Sequence, residues 1–330
     1  MKLAALLAAW LLMMFGAAAH AGDVGFQQLT IPDGSERPLT VGVWYPTDAP
    51  ASPQALGLFT QTVASGGPVA GEGLPLVVMS HGTGGWYGEH YDTALALAHA
   101  GFVVAAVSHT GDTYDDQSQV LQIWKRPQQI HRLIDYMLAD WSGHAKLDSG
   151  RVGMFGFSAG GFTALVAAGG TADLSLVQPH CLKLPTAFEC GLVGKQTPDA
   201  SAHPLPLRSA FVHDARIRAA VVAAPALGFS FEREGLAGVR VPLQLWRAED
   251  DHLLPNPDYA EAVRIALPQP PEYHVVANAD HFDFLAPCSD PLAKAVPMIC
   301  SERPGFDRAA FHAQFDAAVV AFFQRTLAAR

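Results

Sequence analysis

Read for the spacing of hydrophobic and polar positions, the chain divides into short runs of two kinds. Apolar or alternating runs bounded by Gly, Pro or Asp predict strands at 25–31, 39–45, 76–80, 102–108, 152–157, 217–224, 241–246 and 272–277. Stretches with apolar residues three and four apart predict helices at 91–100, 127–138, 159–168, 257–266 and 307–328. Gly101 is placed to cap the first of these, and Pro127 to start the second. The second carries Ile130, Leu133, Ile134, Met137 and Leu138 on one face. From position 76 onward the strands are continuously apolar and alternate with helices. That pattern belongs to a mainly parallel sheet covered by helices on both faces.

Two segments break the pattern. Positions 47–73 are rich in Pro, Gly and Ala and read as a loop. No domain boundary is expected there, because the hairpin around Pro32-Asp33-Gly34-Ser35 is too small to stand alone. Positions 171–214 hold prolines at 179, 185, 198, 204 and 206 and two of the cysteines. This reads as an irregular, lid-like insertion, or as a surface loop stapled by a disulfide. No internal repeat or low-complexity array is visible.

Composition narrows the class. Half of the 330 residues are hydrophobic and 16% are charged, enough for a sizeable core. A net charge of −10 argues against nucleic acid or an anionic membrane as partner. Met1-Lys2, an apolar run over 3–19 and Ala19-His20-Ala21 read as a signal peptide over 1–21, cleaved before Gly22. The run is short and lacks a basic stop-transfer cluster, so no stable membrane anchor is expected after cleavage. The rest, 22–330, reads as a single domain exported to the periplasm or outside the cell. In that setting the four cysteines predict local disulfides, Cys181–Cys190 and Cys288–Cys300, one of three possible connectivities. The second lies just past position 281 and is expected to steady the loop there. No C-x-x-C or H-E-x-x-H occurs, so neither a metal nor an organic cofactor is expected.

The chemistry centres on Gly156-Phe157-Ser158-Ala159-Gly160, which fits G-x-S-x-G between a strand and a helix. A serine on so tight a turn sits in a strained backbone, and glycines two before and two after remove the side chains that would collide. Ser158 is therefore the candidate nucleophile. A serine hydroxyl needs an imidazole to take its proton, and the imidazole needs a carboxylate to fix its tautomer. After the next-to-last strand stands Arg247-Ala-Glu-Asp-Asp-His-Leu-Leu-Pro255; Asp251 is the preferred acid, Asp250 the runner-up and Glu249 third. After the last strand stands His281, the candidate base. His274 lies inside a predicted strand, and His252 abuts the acid. His81, His109, His131, His144, His180, His203 and His213 precede the acid in sequence. An oxyanion needs backbone donors, typically worth ~3–4 kcal/mol each. The amide of Ala159 is one. His81-Gly82-Thr83-Gly84-Gly85, after the strand at 76–80, offers the amide of Thr83 as the other. His81, Gly82, Trp86, Tyr87 and Phe157 are candidate pocket residues, with Trp86 and Tyr87 equally readable as packing.

With these residues in place the chain resembles the α/β-hydrolase superfamily over nearly all of 22–330. Within it, it looks like the dienelactone-hydrolase-like and platelet-activating-factor-acetylhydrolase-like bacterial serine esterases. The resemblance rests on Trp44-Tyr45-Pro46, Ser80-His81-Gly82-Thr83-Gly84-Gly85, Ser108-His109, Gly156 to Gly161, Asp251-His252-Leu253-Leu254-Pro255 and His281-Phe282. It implies the α/β-hydrolase fold, the order Ser158, Asp251, His281, and a small-molecule or lipid-like ester as substrate. Dienelactone hydrolases use a cysteine nucleophile. Ser158 stands there instead, so a carboxylic ester is expected rather than a lactone. Thioester, amide or phospholipid cleavage by the same residues, and a non-catalytic binding protein, are the other readings.

Overall fold

Runs of β-branched and aromatic residues set the strands, and their period of two decides which helix layer each side chain meets. The computed structural model describes residues 22–196 and 211–329; the expected signal peptide and positions 197–210 of the insertion lie outside the described residues. β1 (Asp23–Ile31) and β2 (Leu39–Thr47) pair antiparallel, as do β3 (Ser52–Leu56) and β4 (Phe59–Ser65). Strands and helices then alternate through β5 (Leu74–Ser80), α1 (Tyr91–His99), β6 (Val103–Ser108), α2 (Arg126–Ala139), β7 (Leu147–Phe157) and α3 (Ala159–Ala167). The insertion carries α4 (Val177–Lys183) and α5 (Phe188–Gln196). The chain continues through β8 (Ile217–Ala223), α6 (Arg233–Leu236), β9 (Leu243–Ala248), α7 (Ala260–Ala266) and β10 (Glu272–Val276). It closes on α8 (Asp290–Ala295), α9 (Pro297–Cys300) and α10 (Arg308–Thr326).

The strands join one sheet in the order β10-β9-β8-β7-β5-β6-β2-β1-β4-β3. The six from β10 to β6 run parallel, and β2 adds antiparallel to β6. Alternate residues feed two separate cores. Leu76, Val78, Val152 and Met154 pack with Ile130, Leu133, Phe162 and Leu165 of α2 and α3. Val77, Met79, Phe155 and Phe157 pack with Leu97 of α1 and Phe315, Val319 and Phe323 of α10. The sheet is thus buried on both faces, as expected for parallel strands.

Two expectations need correction. Positions 47–73 are not a loop throughout, because they hold the β3–β4 hairpin turning at Gly57 (φ 56°). β4 does alternate, with Phe59, Gln61 and Val63 inward, but its middle inward residue is polar. Gln61 is tolerated there because its Oε1 accepts from Trp44 Nε1 at 2.7 Å. The insertion is more regular than expected, with α4 and α5 tied by Cys181–Cys190. Cys288–Cys300 forms as well, and the two bonds fit an oxidising compartment. Among the described residues no helix is long and apolar enough to cross a membrane.

Candidate active site

β7 ends at Phe157 and α3 begins at Ala159, so Ser158 alone makes the turn, with φ 54° and ψ −116°. The flanking glycines are required by backbone, not by movable side chains. A Cβ on Gly156 would lie 2.0 Å from the Gly160 carbonyl oxygen, and one on Gly160 would lie 1.9 Å from that of Ser80. The turn is held from outside: Ser158 N–H donates to Ala223 O at 2.9 Å, and Ser158 O accepts from Ala226 N at 2.9 Å. Its Oγ lies 3.0 Å from His281 Nε2.

His281 opens a helical turn, His281–Phe284, just past β10. Its Nδ1 lies 2.8 Å from Asp251 Oδ2, and the acceptor-only carboxylate fixes the proton on Nδ1 and leaves Nε2 to accept from the hydroxyl. Asp251 Oδ1 in turn accepts from the amides of Leu253 (3.0 Å) and Leu254 (2.7 Å). The neighbouring acids face elsewhere. Asp250 pairs with Arg303, and Glu249 Oε2 accepts from Asn278 N at 3.2 Å. Among the rival imidazoles, His252 turns to Asp280 (3.0 Å) and His274 stacks on Trp246. The His281 turn is itself capped: Asp280 Oδ1 accepts from His281 N at 2.8 Å, and Asp283 Oδ2 from Asp280 N at 2.8 Å. Arg308 Nη2 then donates to Asp283 Oδ1 at 3.0 Å and Arg308 Nη1 to Ile299 O at 2.9 Å, which links the turn to the Cys288–Cys300 loop.

Ala159, as the first residue of α3, has an N–H with no intrahelical acceptor. The loop after β5 is held by residues that sequence reasoning missed. Gly82 N–H donates to Glu89 Oε1 (3.0 Å) and Gly84 N–H to Asp112 Oδ1 (2.9 Å), while Gly85 N–H closes back on Gly82 O (3.2 Å). Arg126 Nη1 donates to His81 O at 2.6 Å and Nη2 to Gly82 O at 3.1 Å. Nε and Nη2 also grip Asp112 Oδ2, at 3.1 and 2.6 Å. Both members of this ion pair are almost fully buried, at 3% and 5% side-chain exposure, so each charge depends on the other and on the loop. No local signal gives them away, since Arg126 lies 45 residues from His81 in sequence.

His81 lines a small cavity with Trp86 and Tyr87 and also belongs to this framework. Its Nδ1–H donates to Gly82 O at 2.6 Å and its Nε2 accepts from His109 N at 3.0 Å. Burial, helped by the nearby Arg126 charge, pushes its pKa down to about 4, so it is neutral. His109 is likewise driven well below its ordinary value by burial and by Arg126; its Nε2 meets Ser80 Oγ at 2.8 Å. Burial works to raise the Glu89 carboxyl, but His90, His81 and the Gly82 amide outweigh it and hold it low. Tyr87 packs near Trp44 and donates to Gln28 Oε1 at 2.7 Å, and Trp86 covers Gly57. Phe157 packs its ring 4.9 Å from that of His281, and a Cβ on Gly82 would meet Phe157 at 3.1 Å. The insertion reaches the acid side of the site. Tyr259, at the start of α7, donates to Glu189 Oε1 at 2.8 Å, and His180 stacks on Phe229 beside it.

Sheet order, strand–turn–helix at Ser158 and the loops after β9 and β10 together define an α/β-hydrolase type of fold. No protein-family model matches the sequence, and no curated protein matches it significantly. Among solved structures, a ferulic acid esterase from Streptomyces cinnamoneus is similar with a TM-score of 0.66 and 21% identity, covering 95% of this chain and 92% of that one. Such likeness extends to 776 chains, and a fold so widely used does not by itself designate a substrate.

Proposed function

We propose that the protein is an exported serine hydrolase that cleaves carboxylic esters through an acyl-enzyme. The observation that carries this reading is the continuous chain from Ser158 Oγ to His281 (3.0 Å) to Asp251 (2.8 Å) on a strained strand-to-helix turn. His281 takes the Ser158 proton as Oγ attacks the ester carbonyl, and Asp251 steadies the imidazolium that forms. The amides of Ala159 and Thr83 receive the oxyanion. Collapse of the tetrahedral adduct expels the alcohol, protonated by His281. Water, deprotonated by the same imidazole, then releases the acid. None of these steps calls for a metal or an organic cofactor. Export is supported by the N-terminal sequence and by the two disulfides. The ferulic acid esterase similarity adds a precedent for ester cleavage on this fold, at an identity too low to carry the substrate over. A dienelactone-hydrolase-like or acetylhydrolase-like affiliation belongs to the same proposal, with the insertion and Phe157 shaping the acyl pocket.

The test is hydrolysis of p-nitrophenyl esters from acetate to palmitate by wild type and Ser158→Ala side by side. Turnover with a defined chain-length optimum, lost by at least about 10³-fold in Ser158→Ala, is the expected result. Equal, negligible rates in both would count against cleavage of simple carboxylic esters and favour amide or specialised substrates, or a binding protein.

A further inference from the structure

Four successive peptide groups run from His81 to Gly85, and their amides have distinct fates. Those of Gly82, Gly84 and Gly85 are bonded to Glu89, Asp112 and Gly82 O. The amide of Thr83 has no such partner among the described residues. It belongs to the same peptide plane as the Gly82 carbonyl. A trans peptide is rigid and planar, so its C=O and N–H point in opposite directions. Three donors converge on Gly82 O: His81 Nδ1–H at 2.6 Å, Arg126 Nη2 at 3.1 Å and Gly85 N–H at 3.2 Å. Fixing that carbonyl inward fixes the Thr83 N–H outward. One of the three donors is a buried cation, and a cation on the carbonyl polarises the peptide and strengthens its N–H as a donor. The preceding plane is gripped at both ends, with Arg126 on His81 O and Glu89 on Gly82 N–H.

We infer that Arg126 and Asp112 are positioning residues for the oxyanion site: their buried ion pair aims the Thr83 amide at the substrate and sharpens it electrostatically. The inference rests on the ester-hydrolase reading above. Asp112 serves the same end from the other side, holding Gly84 N–H with one oxygen and the guanidinium with the other. Because both residues are buried and act through the loop backbone, their effect falls on the transition state, where the oxyanion exists, and not on ground-state binding.

The test compares wild type, Arg126→Lys and the double variant Asp112→Asn/Arg126→Gln on p-nitrophenyl acetate. The double variant leaves no lone charge in the interior, so folding is spared more than by either half alone. Folding is checked by circular dichroism and thermal melting. The expected result is a kcat about 10- to 100-fold lower in the double variant, with KM little changed, and an intermediate loss in Arg126→Lys, which keeps the charge without the fork. Binding of a trifluoromethyl ketone analogue of the tetrahedral adduct should weaken by the same factor as kcat/KM. A folded double variant with wild-type kcat, or one changed only in KM, overturns the inference while leaving the hydrolase reading intact. Wild type without Ser158-dependent turnover brings down the reading, and the inference with it.

Discussion

Glu249, Asp250 and Asp251 are three consecutive acids leaving β9, and the geometry separates them sharply. Asp251 is buried against His281 with its second oxygen held by two amides, whereas the Asp250 side chain is 44% exposed and paired with Arg303. An exposed ion pair contributes little, so Asp250→Asn should leave kcat within about 2-fold of wild type. Asp251→Asn keeps the shape but offers Nδ1 an amide that can favour the wrong tautomer; we expect a kcat loss of about 10³- to 10⁴-fold with little change in melting temperature. Steady-state kinetics on p-nitrophenyl acetate decide between the two, and near-full activity in Asp251→Asn would sink the acid assignment. The residues in this chain of bonds were legible beforehand because each stands beside a strand end that the apolar pattern marks. Glu89, Asp112 and Arg126 were not legible, because what defines them is a meeting of backbone groups across the fold.

At the scale of elements, β5, the second half of β7 and α3 could be read directly, since apolar runs there lead into glycines that only one backbone path allows; the polar start of β7, Leu147 to Arg151, could not. β3 and β4 could not, because the inward Gln61 hides an alternation that only its Trp44 partner makes tolerable. α8 and α9 are not legible in the sequence for a related reason: each is under two turns long and is held by a disulfide more than by an apolar face. That disulfide reaches the histidine turn through Arg308, which touches Ile299, Asp283 and, at 3.8 Å, Cys288 Sγ. Closing a loop with a sequence separation of 12 is worth roughly 3 kcal/mol in the chain-entropy model. Cys288→Ser/Cys300→Ser should therefore lower unfolding free energy by about that amount and also reduce kcat, as the turn carrying His281 loosens. Urea denaturation and kinetics read the two effects separately. Stability and activity both unchanged would mean that the bond has no part in steadying the turn.

Across the whole molecule, two buried polar clusters, one at the loop after β5 and one between α1 and α10, respond to pH with opposite signs. In the first, His81 has a pKa of about 4 against 6.5 when unfolded, so between these values the unfolded chain binds more protons and stability rises with pH. That contribution is about 3 kcal/mol, complete above pH 6.5 and lost as pH falls through 4; His109 acts in the same direction. In the second, between α1 and α10, His312 sits with Nδ1 2.7 Å from Asp92 and Nε2 2.9 Å from Asp283 O. Both neighbours are acceptors, so both nitrogens carry protons. Burial works against that charge, but the bond to Asp92 and the surrounding acids raise the His312 pKa. Asp316, bonded to Thr93 at 2.6 Å, is pushed up to about 7 by burial and by Asp92. Here the folded state binds the extra proton, so the Asp316 contribution is complete below about pH 4 and is lost as pH rises through 7. The two clusters therefore oppose each other between pH 4 and 7 and flatten the stability profile. Asp316→Asn keeps the Thr93 bond and removes one side of the balance. Urea unfolding at pH 5, 6, 7 and 8 should then show a steeper gain with pH than wild type, with the variant relatively more stable at pH 8 than at pH 5. Parallel profiles at every pH would mean that Asp316 does not titrate in this window, and the compensation between the two clusters would fall with it.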